Sequence, residues 1–193
     1  RAVGANDTLL TADSAQADGV KWAALTAAKR IATVTTNVAI DNTTTETDLI
    51  SFSLPGGELS TANILHIHLD VINFKDSADG GSAAQFKLKY GATVLTGQNL
   101  SPVDNVNLFG HIDAYIYGAG TTSSQEGHFW GFFIQNTQGT APGLEQLQEN
   151  FRGTFAIDST AAATVAITFQ WTTAAATGRQ MTVVGGYAEV IKG

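Results

Sequence analysis

The residues best suited to chemistry lie in the run Leu65-His66-Ile67-His68-Leu69-Asp70. Side chains of a β-strand point alternately to opposite faces, so His66, His68 and Asp70 would share one face, about 7 Å apart. The aliphatic residues between them would then face the core. Two imidazoles on neighbouring same-side positions can bind a transition metal when a third ligand and supporting hydrogen bonds are present.

A third ligand for that pair could come from His111, Asp113 or His128, but nothing in the sequence places any of these residues nearby. Histidines at such spacing also occur on the outer face of a sheet, or at a contact between subunits, without binding a metal. We favour this second interpretation and predict no metal and no cofactor. His66, His68 and Asp70 are the metal candidates set against it.

A second group of residues is suited to sugar binding, because pyranose rings stack on aromatic side chains while their hydroxyls bond polar neighbours. Aromatic residues are concentrated on both sides of a Gly-, Thr- and Ser-rich segment at 118–124. The predicted ligand or receptor contacts there are Tyr115, Tyr117, Thr121, Thr122 and Ser123. The alternative is structural: Trp130 and Phe132 would share one face of a strand that is buried on both sides or lies at a subunit interface.

Other chemical motifs are weak. The loop with Asp76, Asp79, Gly80 and Gly81 does not match the calcium-binding spacing, and we interpret it as a polar turn. The chain has no G-x-S-x-G elbow, no H-E-x-x-H motif and no P-loop. We therefore predict a binding protein rather than an enzyme. A small metal-dependent barrel enzyme that uses His66 and His68 is a remote alternative.

The elements that must position these residues are β-strands. Val165, Ile167, Phe169 and Trp171 alternate with smaller or polar residues, which predicts a strand with one buried face. Strands are predicted at 31–40, 48–54, 64–74, 84–90, 92–96, 109–117, 128–136, 151–157, 164–171 and 180–191. The last is so apolar that we expect it to be paired between others.

About 8–10 antiparallel strands with several long connections predict a jelly-roll β-sandwich. Short helices are predicted at 23–30 and 144–150, the first on helix propensity alone. Burial of Trp171 would make its replacement by alanine strongly destabilising.

The composition limits the class of protein. With 193 residues, one domain is expected. A net charge of −7 argues against nucleic-acid binding, and no apolar run is long enough to predict membrane insertion. Cysteine is absent, and only 14% of residues are charged, which favours self-association through flat, close-packed surfaces. Because the chain begins at Arg1 rather than Met, we expect a processed or trimmed product.

Residues 1–30 differ from the rest of the chain, because they hold few apolar groups and several turn formers. We predict that they form an extended arm or linker that lies on the domain or on a neighbouring subunit, with Leu10 and Trp22 as its anchors. Residues 31–193 would form the head domain.

The arm carries a sequence resemblance. Asn-Asp-Thr-Leu-Leu-Thr-Ala-Asp-Ser at 6–14, followed by Asp-Gly-Val-Lys-Trp at 18–22, resembles a short module of tail fibres and other virion appendages of tailed bacteriophages. This chain departs from the module in having Asn6-Asp7 where glycine is usual and Leu9 where valine is usual. The segments 42–52, 155–160 and 165–171 resemble the domain that follows the module.

The resemblance implies a trimeric jelly-roll head located in the virion. The arm would be a linker that joins the head to other virion proteins, of the capsid or of the tail, with Leu10 and Trp22 as anchors to the virion or to the trimer. As a tail fibre or spike, such a head would bind a glycan or protein of the host cell surface. The alternative is a capsid decoration or cement protein that stabilises the phage head. The sequence does not choose between these two functions.

Overall fold

A computed structural model describes residues 8–12, 15, 17, 19–24, 28–76, 83–97, 99–100, 102, 106–135, 146–173 and 177–193. These residues form an all-β protein in which every paired strand is antiparallel to its neighbours. They contain no helix that could cross a membrane. The strands lie in a seven-stranded sheet, a four-stranded sheet and a separate two-stranded pair.

The large sheet consists of β3 (Lys29–Val34), β4 (Val38–Asp41), β6 (Ile64–Lys75), β9 (Leu108–Gly118), β10 (Gln125–Gln135), β11 (Gln146–Phe155) and β13 (Gln180–Ile191). Its order is β11-β10-β9-β6-β13-β3, and β4 pairs with β13 beside β3. The small sheet consists of β5 (Thr47–Leu54), β7 (Ala84–Tyr90), β8 (Thr93–Thr96) and β12 (Ala163–Trp171), in the order β5-β12-β7-β8.

The two sheets pack face to face around an aromatic core. The Phe74 ring of β6 lies 6.0 Å from that of Phe86 on β7, and Phe86 also contacts Phe129 and Phe133 of β10. Trp171 is fully buried among these rings. The antiparallel β-sandwich predicted from the sequence is therefore confirmed, and the alternation along β12 buries the predicted face. The jelly-roll connectivity within the sandwich stays a prediction.

The predicted strands are found with changed boundaries. The segment 31–40 is split into β3 and β4 by the break at 35–37. Over the described residues, both predicted helices are wrong. Residues 23–24 belong to β2 and residues 29–30 to β3, while residues 146–150 begin β11, which pairs along the whole of β10. Backbone pairing to a neighbouring strand outweighs weak helix propensity at these positions.

The N-terminal segment contains β1 (Thr8–Ala12) and β2 (Val20–Ala24), which pair with each other. The boundary predicted after residue 30 falls within β3, so the strands of the large sheet begin before it. The role of residues 1–30 as a linker stays a prediction.

The C-terminal strand β13 lies inside the large sheet. It pairs with β6 along one side and with β3 and β4 along the other, as its apolar sequence predicts. Gly186 of β13 has a φ of 155°, and a Cβ there would lie 2.4 Å from the backbone oxygen of His68. Glycine therefore permits the close approach of β13 to β6.

Candidate functional site

The candidate site is the outer face of the large sheet. Outward side chains on β6, β9, β10 and β13 form a continuous array in which neighbours contact one another across the strands. The register sets His66 opposite Tyr115 and His68 opposite Asp113. Inward residues of the same strands are buried in the core. The array therefore stands on a rigid, fully paired sheet, which fixes its side chains relative to one another.

At the centre of this face, Asp113 joins two histidines. Its Oδ1 lies 2.8 Å from Nε2 of His66 and 2.9 Å from Nδ1 of His68. Burial raises the pKa of Asp113, but the hydrogen bonds and charges of His66 and His68 outweigh this effect and lower it below its ordinary value. Asp113 is thus ionised at neutral pH. We call His66, His68 and Asp113 the histidine cluster.

Three more ionisable groups surround the histidine cluster. Nδ1 of His66 lies 3.7 Å from a carboxylate oxygen of Glu189, and Nε2 of His68 lies 3.3 Å from one of Asp70. Nε2 of His111 lies 3.6 Å from the second oxygen of Asp113. Of the three residues that could have supplied a third ligand, the structure thus brings Asp113 and His111 to the pair. His128 lies elsewhere on the face.

An open depression of about 310 Å³ lies beside the histidine cluster, lined by Tyr115, Tyr117, His128, Trp130 and Asn150. The two tyrosine rings stack with their centroids 6.0 Å apart, and Trp130 is 39% exposed. Nε2 of His128 lies 3.2 Å from the side-chain oxygen of Asn150. Aromatic faces and polar groups therefore meet in one place. We call this the aromatic depression.

Burial raises the pKa of both tyrosines, with a further contribution from Asp113 at Tyr115 and from Glu126 at Tyr117. Both phenols consequently keep their hydroxyl protons at neutral pH and can donate hydrogen bonds. His66 stacks on the other side of Tyr115, at 4.6 Å and nearly parallel. Tyr115 thus lines the aromatic depression and also contacts His66 of the histidine cluster.

The loop predicted to contact a ligand follows β9. Thr121, Thr122 and Ser123 are exposed, but the backbone of Thr122 is tied to the domain. Its carbonyl accepts hydrogen bonds from the backbone and hydroxyl of Ser159 and from the amide of Gln125. The side chains of this loop can therefore be changed without disturbing the fold. Displacement of its backbone, in contrast, would break the hydrogen bonds to Ser159 and Gln125.

The alternation along β10 groups its residues on the correct faces, and the structure shows which face is which: Phe129 and Phe133 are inward, and Trp130 and Phe132 are outward. Within the chain, however, the strand is not buried on both sides, since Trp130 is partly exposed. A subunit that covered this face would give the interface predicted as the alternative.

Sequence reasoning missed Tyr187, Glu189 and Asn150. The two residues of β13 alternate with buried Ala188 and Val190, which indicates an outward face, but only the β6–β13 pairing places them beside His66 and His68. Arg30 lies over the Tyr187 ring at 4.0 Å and continues the array onto β3. Asn150 lies within a segment that was predicted to be helical.

The remaining predicted residues lie away from this face or outside the described part of the chain. Leu10 is 50% exposed on β1, and the side chain of Trp22 lies outside the described residues. Asp76 is buried and paired with Arg179 at 2.7 Å. The rest of the predicted polar turn, with Asp79, Gly80 and Gly81, is also outside the described residues.

Comparison with known proteins finds little. No protein-family model matches the chain, and no curated protein matches it. Among solved structures, the chain is similar to the CBM2 module of the evolved Dit of Lactobacillus casei BL23 phage J-1. The match has 12% sequence identity and a TM-score of 0.33, and it covers 72% of this chain and 67% of the other. So distant a likeness carries no conclusion about function.

Proposed function

We propose that this protein is the head of a bacteriophage virion protein and binds a polysaccharide of the host cell surface, without catalysis. The observation that carries the proposal is the aromatic depression. Trp130 presents an exposed ring, Tyr115 and Tyr117 supply hydroxyl donors, and His128 and Asn150 supply polar groups beside them. These are the groups that stack on a pyranose and bond its hydroxyls.

The shape of the site suits a chain of sugars better than a small enclosed ligand. The depression is open, and the aromatic array continues from it past His111, whose ring lies 5.4 Å from that of Trp130, to Phe132. A flat, extended and rigid surface of this kind can contact several consecutive residues of a polysaccharide. Each contact would be weak, so repeated copies would be needed for firm attachment.

The virion location and a trimeric state belong to the same proposal. They rest on the resemblance of residues 6–22 to phage appendage modules, and on a composition poor in charge and rich in small residues. Three heads on one axis would present three depressions to a repetitive surface. A monomer in light scattering at micromolar concentration would contradict the trimer.

The test is binding of the purified protein to polysaccharides from candidate host bacteria, measured by calorimetry. We expect the Trp130→Ala variant to lose about tenfold or more in affinity, because a central aromatic contact would be removed. The matched control is Phe109→Ala. Phe109 is also 39% exposed on the outer face, but it lies beyond Phe132 and outside the depression, so its replacement should lower the affinity much less than that of Trp130.

Equal binding by the wild-type protein and Trp130→Ala would overturn the sugar-binding site. Binding to purified phage heads, with none to host polysaccharide or host cells, would instead support the capsid decoration function. Immunogold labelling of virions distinguishes the two locations directly.

A further inference from the structure

We infer that the histidine cluster is a binding site for a divalent transition metal, with Zn²⁺ as the best-suited ion. The ligands would be Nε2 of His66, Nδ1 of His68 and Oδ1 of Asp113, which all lie within 4.8 Å of one another. This inference is independent of sugar binding. It revises the expectation from sequence alone, which could not place a third ligand beside the two histidines.

Each imidazole of the histidine cluster has a carboxylate near both of its ring nitrogens. His66 presents one nitrogen to Asp113 and the other to Glu189, and His68 presents one nitrogen to Asp113 and the other to Asp70. Metal-binding histidines commonly hold a carboxylate at the nitrogen opposite the metal, which fixes the tautomer and turns the free lone pair toward the ion. His68 has this arrangement with Asp70 at 3.3 Å, and Glu189 lies 3.7 Å from the corresponding nitrogen of His66, slightly beyond hydrogen-bond distance.

The number of protons that each imidazole can carry also favours a cation at this position. A neutral imidazole has one N–H, so it can donate to one carboxylate only. Each ring here lies between two carboxylates, so in the neutral form one nitrogen of each ring would have its lone pair facing a carboxylate oxygen. A shared cation between the rings and Asp113 removes both repulsions at once. A second proton on each ring is the competing solution.

Zn²⁺ binding would move the ligand atoms in two ways: the Asp113 carboxylate would move away from the histidines, and the two histidine nitrogens, which lie within 4.8 Å of each other, would move closer together. Tetrahedral zinc with bonds of about 2.0–2.1 Å holds its ligand atoms about 3.3 Å apart. The present separations of 2.8 and 2.9 Å from Asp113 to the histidines are hydrogen-bond lengths, so the carboxylate would retreat by about half an ångström. The cluster residues have side chains 13 to 26% exposed, which leaves a path for the ion.

The ligand set selects the class of metal. Two imidazole nitrogens and one carboxylate suit Zn²⁺, Co²⁺ or Ni²⁺, whereas Ca²⁺ and Mg²⁺ prefer oxygen ligands throughout. Three protein ligands leave a fourth position for water, a sugar hydroxyl or Nε2 of His111, which already lies 3.6 Å from the second oxygen of Asp113. The metal would join β6 to β9 across the middle of the candidate site.

The experiment uses the full chain purified without a histidine tag and stripped of metal by a chelator. Calorimetric titration with ZnCl₂ near neutral pH should show about one equivalent bound per chain, with a raised melting temperature. The Co²⁺ form should show the visible absorption bands of a tetrahedral site. His66→Gln and His68→Gln should each weaken Zn²⁺ binding by about tenfold or more.

His128→Gln is the matched control, because His128 lies on the same face but contacts Asn150 rather than the cluster. It should bind Zn²⁺ like the wild-type protein. Circular dichroism of each variant shows whether its fold is retained, and Asp113→Asn gives an independent loss of the ligand set if a histidine variant misfolds. Absence of stoichiometric Zn²⁺ or Co²⁺ binding overturns the inference. So does ¹⁵N NMR showing that His66 and His68 stay doubly protonated with equimolar Zn²⁺ present.

Discussion

On β9, the side chains of Ile112, Ala114 and Ile116 point inward and are fully buried, whereas His111 and Asp113 point outward on the same strand. The same alternation occurs along β6 and β10. The inner face is filled with aliphatic and phenylalanine side chains. The outer face carries histidine, tyrosine, tryptophan and aspartate, many of which contact one another.

The two faces place different requirements on their side chains. The inner face needs apolar volume in the right places, a condition that many combinations of side chains would meet. An outer sheet face that only met water would need neither stacked tyrosines nor paired histidines around one carboxylate, since scattered polar residues would serve as well. The proposed sugar-binding and metal sites therefore both rest on residues of the outer face.

The largest expected effect is on the inner side. Trp171 is fully buried, and its replacement by alanine should lower the free energy of unfolding by roughly 3–5 kcal/mol, because a large cavity would open among the core rings. Urea denaturation measures this change. Nε1 of Trp171 is buried without a hydrogen-bond partner among the described residues, so Trp171→Phe should lose much less stability than Trp171→Ala. A fully stable Trp171→Ala protein would show that the core is wrongly assigned.

An intermediate effect is expected on the outer face of the small sheet, where Glu46 bonds Lys87, Lys89 and Thr168. Burial raises the pKa of Glu46, but these bonds outweigh it and lower the pKa from 4.5 to about 2. The stabilisation is therefore present above pH 4.5 and is lost as the pH falls toward 2. Allowing for solvent screening, the loss should be about 1–2 kcal/mol.

Urea denaturation at about pH 6 and about pH 3 measures the effect of Glu46. Glu46→Gln should be less stable than the wild-type protein at the higher pH, and the gap should narrow at the lower pH. A gap that stayed constant would mean that the ionised carboxylate contributes no stability.

The smallest effect on stability is expected from Trp130→Ala, on the outer face of the large sheet. Trp130 is the same residue type as Trp171 but is partly exposed, so its loss should change the free energy of unfolding by less than about 1 kcal/mol. Urea denaturation of both variants compares the loss in the free energy of unfolding for Trp130→Ala with that for Trp171→Ala. Similar losses for both would remove the distinction between the faces and indicate that Trp130 belongs to a buried subunit contact.

The faces of the strands could be predicted from the sequence, and the neighbours of each strand could not. Period-2 alternation places His66 and His68 together and separates Trp130 from Phe129. The contact of His68 with Asp113 joins strands that are distant in the chain, and Asp113 was one of three equal candidates until the β6–β9 register was known. The strand at 146–155 was predicted only in part, because its first half has a polar sequence and is held by pairing to β10.

The position of β13 in the middle of the large sheet also determines at which step of folding the histidine cluster can be completed. Gly186 pairs with Val34 on one side and Leu69 on the other, so the middle of the large sheet stays incomplete until the last strand has been synthesised. Pairing of such distant segments is slow, and the open edges of β3 and β6 are exposed to wrong partners until then. Tyr187 and Glu189 reach the histidine cluster only in that step. The outer face around the histidine cluster is therefore complete only after β13 has paired with both β6 and β3.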